Sequence, residues 1–172
     1  MDGHTAFIGL GANLGNPRRT LGWALDRLAE NAQIRVRAVS SLYRSAPLDA
    51  GGPDFLNAVA QLQTTLDAPA LLRALHDLEA QAGRERPYRN APRVLDLDLL
   101  SFDEQVSDTD TLVLPHPRLH LRRFVLAPLL EIAPSLALPG LPPLAGLLRA
   151  VSSQAVQRVP DGTPWWPAHG AA

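Results

Sequence analysis

Residues Gly83–Phe102 read G-R-E-R-P-Y-R-N-A-P-R-V-L-D-L-D-L-L-S-F. From Arg93 to Phe102 the period-two alternation predicts a β-strand. Successive side chains on a strand point to opposite faces, so Leu95, Leu97 and Leu99 share one face while Val94, Asp96 and Asp98 share the other. Burial of the leucines fixes the register and leaves two carboxylates side by side, about 7 Å apart at their Cα atoms. Such neighbours repel unless something positive lies between them. Mg²⁺ suits the place, because it takes one or two carboxylates and completes its shell with water and substrate phosphates. Upstream, Arg84, Arg86, Arg89 and Arg93 stand against a single acid, Glu85, and guanidinium forks match phosphate oxygens. Taken alone, the D-x-D pair and the arginine run each also fit ordinary solvated charge. Their adjacency points to a metal–phosphate site.

Working outward, Asp67 is a helix cap and Leu71, Leu72, Leu75 and Leu78 form the buried stripe of a helix that runs to about Ala82, with Gly83 as its stop. Glu79 lies at the edge of that stripe, either a rim residue in water or part of a site beside the core. His76 reads as a surface residue. Before this helix, Phe55–Leu66 predicts a strand with Leu56, Ala58, Ala60 and Leu62 on one face and Phe55, Asn57 and Val59 on the other. Ile34 to about Tyr43 predicts another strand, followed by a Pro/Gly loop over 44–53. Asn16 and Pro17 open an amphipathic helix over 17–30, and Thr5–Leu10 is a short apolar strand. The intervening G-L-G-A-N-L-G (9–15) fails the dinucleotide-loop register at Leu14 and lacks the G-K-[ST] of a P-loop. It reads as a structural connection.

Beyond the central strand, P-H-P-R-L-H-L-R-R-F (115–124) gathers two histidines, three arginines and an aromatic into a second cationic patch. Val125–Ile132 then continues as an apolar helix, and a short helix is expected from about Pro143. Residues 160–172 read as a poorly ordered tail after a single domain over 1–159, in which Trp165 and Trp166 either pack back or dangle. The order strand–helix–strand–strand–helix–strand is that of the split βαβ unit. The expected fold is therefore α+β and ferredoxin-like, an antiparallel sheet with helices mainly on one face. Phe55, Asn57, Asp96 and Asp98 then converge on the other face.

Composition narrows the chemistry. All 16 basic residues are arginines, and cysteine is absent. Lysine-based phosphate loops, Schiff bases, disulfides and thiolate sites are therefore excluded. A net charge of −1 gives no global basic field for nucleic acid, and no stretch approaches transmembrane length. A cytoplasmic protein, a monomer without nucleic-acid or membrane partners, is expected.

Five motifs in order, G-L-G-A-N-L-G (9–15), S-L-Y-R-S-A-P-L (41–48), F-L-N-A (55–58), A-P-R-V-L-D-L-D-L-L (91–100) and L-P-H-P-R-L-H-L-R-R-F-V-L-A-P-L-L-E-I-A-P (114–134), make the chain resemble the 6-hydroxymethyl-7,8-dihydropterin pyrophosphokinase family over about Phe7 to Pro139. The resemblance implies transfer of the terminal pyrophosphoryl unit of ATP to the pterin hydroxymethyl oxygen, with release of AMP, in folate biosynthesis. It implies that Asp96 and Asp98 hold two Mg²⁺ ions on the triphosphate and that Arg84, Arg93, His116 and Arg122 contact ATP phosphates. Glu79 would lie beside the nucleotide. Phe55 and Phe124 would sandwich the pterin, Asn57 would bond its edge, and the backbone around Ser45, Ala46 and Leu48 would assist. Closure of the loops 46–53 and 84–92 over the substrates is also implied. The chain departs from the family pattern at Pro87, Asn90 and Pro117. Other readings of the same layout are a two-metal nucleotidyl transferase or nuclease, an RNA-recognition module and a nucleotide-binding regulator without activity. Acids where an RNA-recognition sheet needs exposed aromatics weigh against the second.

Overall fold

In a computed structural model, residues 3–47, 52–83, 94–160 and 165–166 are described. Ala6, Ile8, Leu10 and Ala12 alternate with Phe7, Gly9 and Gly11 along β1 (His4–Ala12), and the strand is buried on both faces from Ala6 onward. That burial places it inside the sheet, with β4 (Phe55–Thr64) on one side and β5 (Asp96–Phe102) on the other, both antiparallel. The sheet order is β5–β1–β4, continued by β2 (Ile34–Val39) and β3 (Tyr43–Ser45), which both pair with β4. This is the expected ferredoxin-like order.

The strand expected from Ile34 to Tyr43 is divided into β2 and β3, and Ser40 marks the break. Its N–H still donates to Val59 O, but its Oγ replaces a carbonyl by accepting from Val59 N. The Ser40 carbonyl is thereby turned away and accepts the Trp165 indole N–H at 2.8 Å. A strand absent from the sequence reading, β8 (Val156–Arg158), pairs with β3 and extends the sheet.

The helices begin where the caps predict. Asn16 accepts from Arg19 N to open α1 (Pro17–Glu30), and Asp67 accepts from Ala70 N to open α2 (Ala68–Gly83). Their leucine stripes meet Ala6, Ile8, Leu10, Ala58, Ala60, Leu62, Leu97 and Leu99 in one core. Each fully buried leucine there contributes ~1.5–3 kcal/mol. At β5 the register slips by one residue between Phe7 and Ile8, so that Ser101 and Leu99 oppose them. The extra residue, Leu100, faces away from α1 and α2, and Phe102 returns to their core. Strict alternation would have put Ser101 there, a polar group with little to bond.

A second helical layer adds to the layout read from sequence. Helices α3 (Arg123–Ile132) and α4 (Leu144–Ala150) cover part of the opposite face, burying Phe7, Val59 and Leu100 beneath Leu126 and Leu129. Glu131 anchors α3, accepting from Tyr43 Oη at 2.6 Å and from Ser41 N and Oγ. Burial first, and then the bond to this carboxylate, hold the Tyr43 hydroxyl protonated well above its usual range.

Of the two options left by sequence for Trp165 and Trp166, the structure has them packed back on the fold. Trp166 is buried, packs with the α1–α2 core and donates its N–H to Asp26 on α1, because a large apolar surface with one polar tip finds both needs met there. The remaining positions after Pro160 lie outside the described residues.

Candidate active site

The face left open by α3 carries the site. In the ladders Asp96 opposes Gly11 and Asp98 opposes Gly9, while across β1 the same glycines oppose Asn57 and Val59. Asp96, Gly11 and Asn57 thus form one row across three strands, and Asp98, Gly9 and Val59 form the next. Because the middle strand contributes glycines, the floor between the acids and Asn57 has no side chain on it. A cavity of about 280 Å³ lies there, walled by Asp96, Asp98, Arg122 and Phe124. The sequence reading of G-L-G as a mere connection is corrected here: Gly9 and Gly11 line the site. Their signal was the placement of glycine at alternate positions of a strand, which marks a close approach.

Two nitrogen donors face Asp98. His116 Nε2 and Arg122 Nη1 each stand 3.8 Å from one of its carboxylate oxygens. At that separation neither makes a hydrogen bond, and Arg122 acts through its charge alone. His116 Nδ1 accepts from Arg118 N, so the neutral ring carries its proton on Nε2, towards Asp98. Burial pushes the His116 pKa below its usual value. Asp98 opposes that shift, and Arg122 and Arg118 reinforce it. Arg122 also places its guanidinium carbon 5.6 Å from the Phe124 ring centroid, a cation–π contact that steadies both at the cavity wall.

On the other side, Asn57 is buried and donates both amide protons within the protein, to Ser45 Oγ at 2.8 Å and Tyr43 O at 3.2 Å. This leaves Oδ1 on the Gly11 side, where a Cβ would lie 3.4 Å from it. Phe55 is partly exposed on the same face two residues away and opposes Ser45, which is buried, while Ala46 is exposed just past β3. Glu79 reaches from α2 to β5 and accepts Leu97 N at 2.9 Å, fixing the strand between its two aspartates. Its carboxylate is thus bound to the β5 backbone beside the two acids. Arg84, Arg93 and Leu48 lie outside the described residues, as do most of the two loops expected to close.

A second cavity, of about 250 Å³, opens on the outer edge of β5 and shares Asp98 and His116 with the first region. It is lined by Leu72 and His76 of α2, by Leu112 and Val113, and by Pro117. Sequence reasoning missed it. Its wall is contributed by the hairpin of β6 (Ser107–Asp108) and β7 (Val113–Leu114), whose only sequence signature is a polar run. His76, read as a surface residue, stands in its lining. Among the described residues no three acids or histidines stand close enough to enclose a metal ion by themselves. The donor set suits an ion that takes two carboxylates and draws its other ligands from water and substrate.

Comparison with known proteins gives concordant findings. Residues 7–134 match the family model described as 7,8-dihydro-6-hydroxymethylpterin-pyrophosphokinase. The chain is 43% identical over 155 residues to the 2-amino-4-hydroxy-6-hydroxymethyldihydropteridine pyrophosphokinase of Pseudomonas aeruginosa, covering 90% of this chain and 96% of that one. It is 40% identical over 130 residues to the enzyme of the same name from Bacillus subtilis, covering 74% and 77%. Among solved structures, a crystal structure of a Plasmodium falciparum HPPK-DHPS triple mutant superposes with a TM-score of 0.69 at 12% identity, over 88% of this chain. The chain spans 44% of that longer protein, and at this identity the likeness concerns the fold.

Proposed function

The chain belongs to the 7,8-dihydro-6-hydroxymethylpterin-pyrophosphokinase family, and from that premise we propose how its residues carry out pyrophosphoryl transfer to hydroxymethyldihydropterin in folate biosynthesis. ATP is the donor. The pterin hydroxymethyl oxygen attacks the β-phosphorus, the bond from that phosphorus to the α-bridging oxygen breaks, AMP leaves, and the hydroxyl proton passes to water. Such transfer needs positioning and charge neutralisation more than covalent help from the protein.

Asp96 and Asp98 would hold two Mg²⁺ ions, which would supply charge neutralisation to the triphosphate and polarisation at the β-phosphorus. The observation that carries this reading is the pairing of the two acids with Gly11 and Gly9, on the face that also bears Asn57. It supports a metal-binding edge and a flat-ring edge on one bare floor. Asn57 Oδ1, whose amide partner is spent on Ser45 and Tyr43, accepts from a ring N–H of the pterin. Phe124 and Phe55 stack on its faces, with Ser45, Ala46 and Leu48 at its edge. The second cavity takes the nucleotide base against Leu72, Leu112 and Pro117, so the triphosphate passes Asp98, His116 and Arg122 on its way to the pterin. Arg122, and with it Arg84 and Arg93, binds phosphate oxygens, and His116 offers Nε2–H. Glu79 keeps β5 in register beside them.

All these groups come from one chain, which supports action as a monomer, with residues 1–159 as the catalytic domain. Among the described residues no helix is long and apolar enough to cross a membrane, and we place the reaction in the cytoplasm with its soluble substrates. The test is a product assay with ATP, Mg²⁺ and 6-hydroxymethyl-7,8-dihydropterin that resolves AMP from ADP. Pterin-dependent AMP, abolished by chelation and by Asp96→Ala or Asp98→Ala in folded protein, is expected. Formation of ADP, or full activity in either variant, would overturn the reading.

A further inference from the structure

The start of α3 has an uncommon support. Its cap residue, Arg122, makes no capping bond with its own side chain, and the first helical N–H, at Arg123, has no partner within the helix. The preceding turn, Leu119–Leu121, ends with the Leu121 carbonyl in the same situation. One side chain from the far end of the chain serves both. Gln154 Oε1 accepts Arg123 N at 2.9 Å, and Gln154 Nε2 donates to Leu121 O at 2.8 Å. The amide therefore grips the peptide groups immediately before and after Arg122. Arg123 returns the contact, its Nη1 donating to Gln154 O at 2.7 Å and to Ser152 O at 3.1 Å.

We propose that Gln154 is a positioning residue for the reaction: by clamping the backbone on both sides of Arg122, it aims that guanidinium at Asp98 and fixes Phe124 at the cavity wall. The backbone at Arg122 is extended, with φ −124° and ψ 106°, between a turn and a helix, and nothing in local sequence selects that value. Two hydrogen bonds from a single planar amide do. Arg122 then stands 3.8 Å from Asp98 and 5.6 Å from the Phe124 ring. The chain leaves Gln154 directly into β8, which pairs with β3, where Tyr43 and Ser45 receive the Asn57 amide. Residues 152–158 thus tie the α3 wall of the cavity to its β3–β4 wall.

The inference rests on the role given above to Arg122, so its test includes a readout independent of turnover. In the full-length protein, Gln154→Met keeps a side chain of similar length and removes both bonds. A loss of about tenfold in kcat/KM is expected, the scale of a small misplacement at a reacting centre. In an Arg122→Ala background the same substitution is expected to cost less than it does alone, only the share carried through Phe124 remaining, since coupled residues are non-additive. The side-chain Nε–H signal of Arg122 in ¹⁵N–¹H spectra is expected to stand apart from free arginine in the wild type and to move to the free position in Gln154→Met. Should Gln154→Met lower the melting temperature, Gln154→Glu retains the acceptor for Arg123 N and sets a carboxylate oxygen against Leu121 O, and the same loss is expected. Wild-type rates in both variants, an unmoved Arg122 signal, or a full additive loss without Arg122 would overturn the proposal. Absence of pterin-dependent AMP in the wild type, with the Arg122 signal still responding, would instead count against the catalytic reading and leave the positioning role standing.

Discussion

Asp98 lies directly opposite Gly9 in the ladder between β5 and β1. A Cβ at Gly9 would meet the Leu100 methyls and Asp98 Cβ at 3.6–3.9 Å, ordinary contact distances, and Gly9 is not among the glycines with positive φ. The fold therefore does not need a glycine there; the open floor does. Gly9→Ala is expected to leave stability unchanged or raised by about 0.4–1 kcal/mol. Gly9→Val, in a folded protein, is expected to cut kcat/KM by about a hundredfold as the branched side chain displaces substrate. Thermal melts alongside the AMP assay check both, and a fully active Gly9→Val would show that the floor is not used.

Tyr43 and Glu131 join β3 to α3 through a 2.6 Å bond. Tyr43→Phe removes the donor to Glu131 Oε1, on an exposed residue that water can reach, while Oε2 keeps Ser41. A loss of about 1–3 kcal/mol is expected from denaturant unfolding.

His116 gives a pH dependence whose sign follows from its burial. Its pKa is lowered in the folded protein, so the unfolded chain binds the proton more tightly. The stability it contributes is complete above the unfolded value of about 6.5 and is lost as pH falls towards the folded value. In metal-free protein, the melting temperature should fall between about pH 7 and pH 5 more steeply for wild type than for His116→Gln. Equal slopes would mean that the ring is not desolvated as the structure has it.

Trp166 tests whether the chain's end belongs to the fold. Trp166→Ala is expected to cost about 3–5 kcal/mol, the scale of emptying a buried aromatic site. Trp166→Phe keeps the packing and forfeits the bond to Asp26, for about 1–3 kcal/mol. If neither variant changes the melting temperature, Trp166 does not pack as described.

Much of the site was legible because strand alternation is a local rule. Leu95, Leu97 and Leu99 could be buried together only by exposing Asp96 and Asp98 together, and the same rule set Phe55 and Asn57 on one face of β4. The caps at Asn16 and Asp67 were equally local, since each side chain bonds an N–H three residues on. Alternation was silent about what lay between the strands. Gly9 and Gly11 became a floor only when β1 was inserted between β4 and β5, and a pattern over six residues holds no information about that order.

The sequence by itself determined the α+β layout, the carboxylate pair and the cationic patch, because each follows from periodicity and residue chemistry within a short window. The tertiary structure alone decided the break at Ser40, the addition of β8 to β3, the burial of Trp166 against Asp26 and the grip of Gln154 on either side of Arg122. These contacts join residues between 19 and 140 positions apart. They form only when the folded chain brings donors and acceptors that are distant in sequence to the same place.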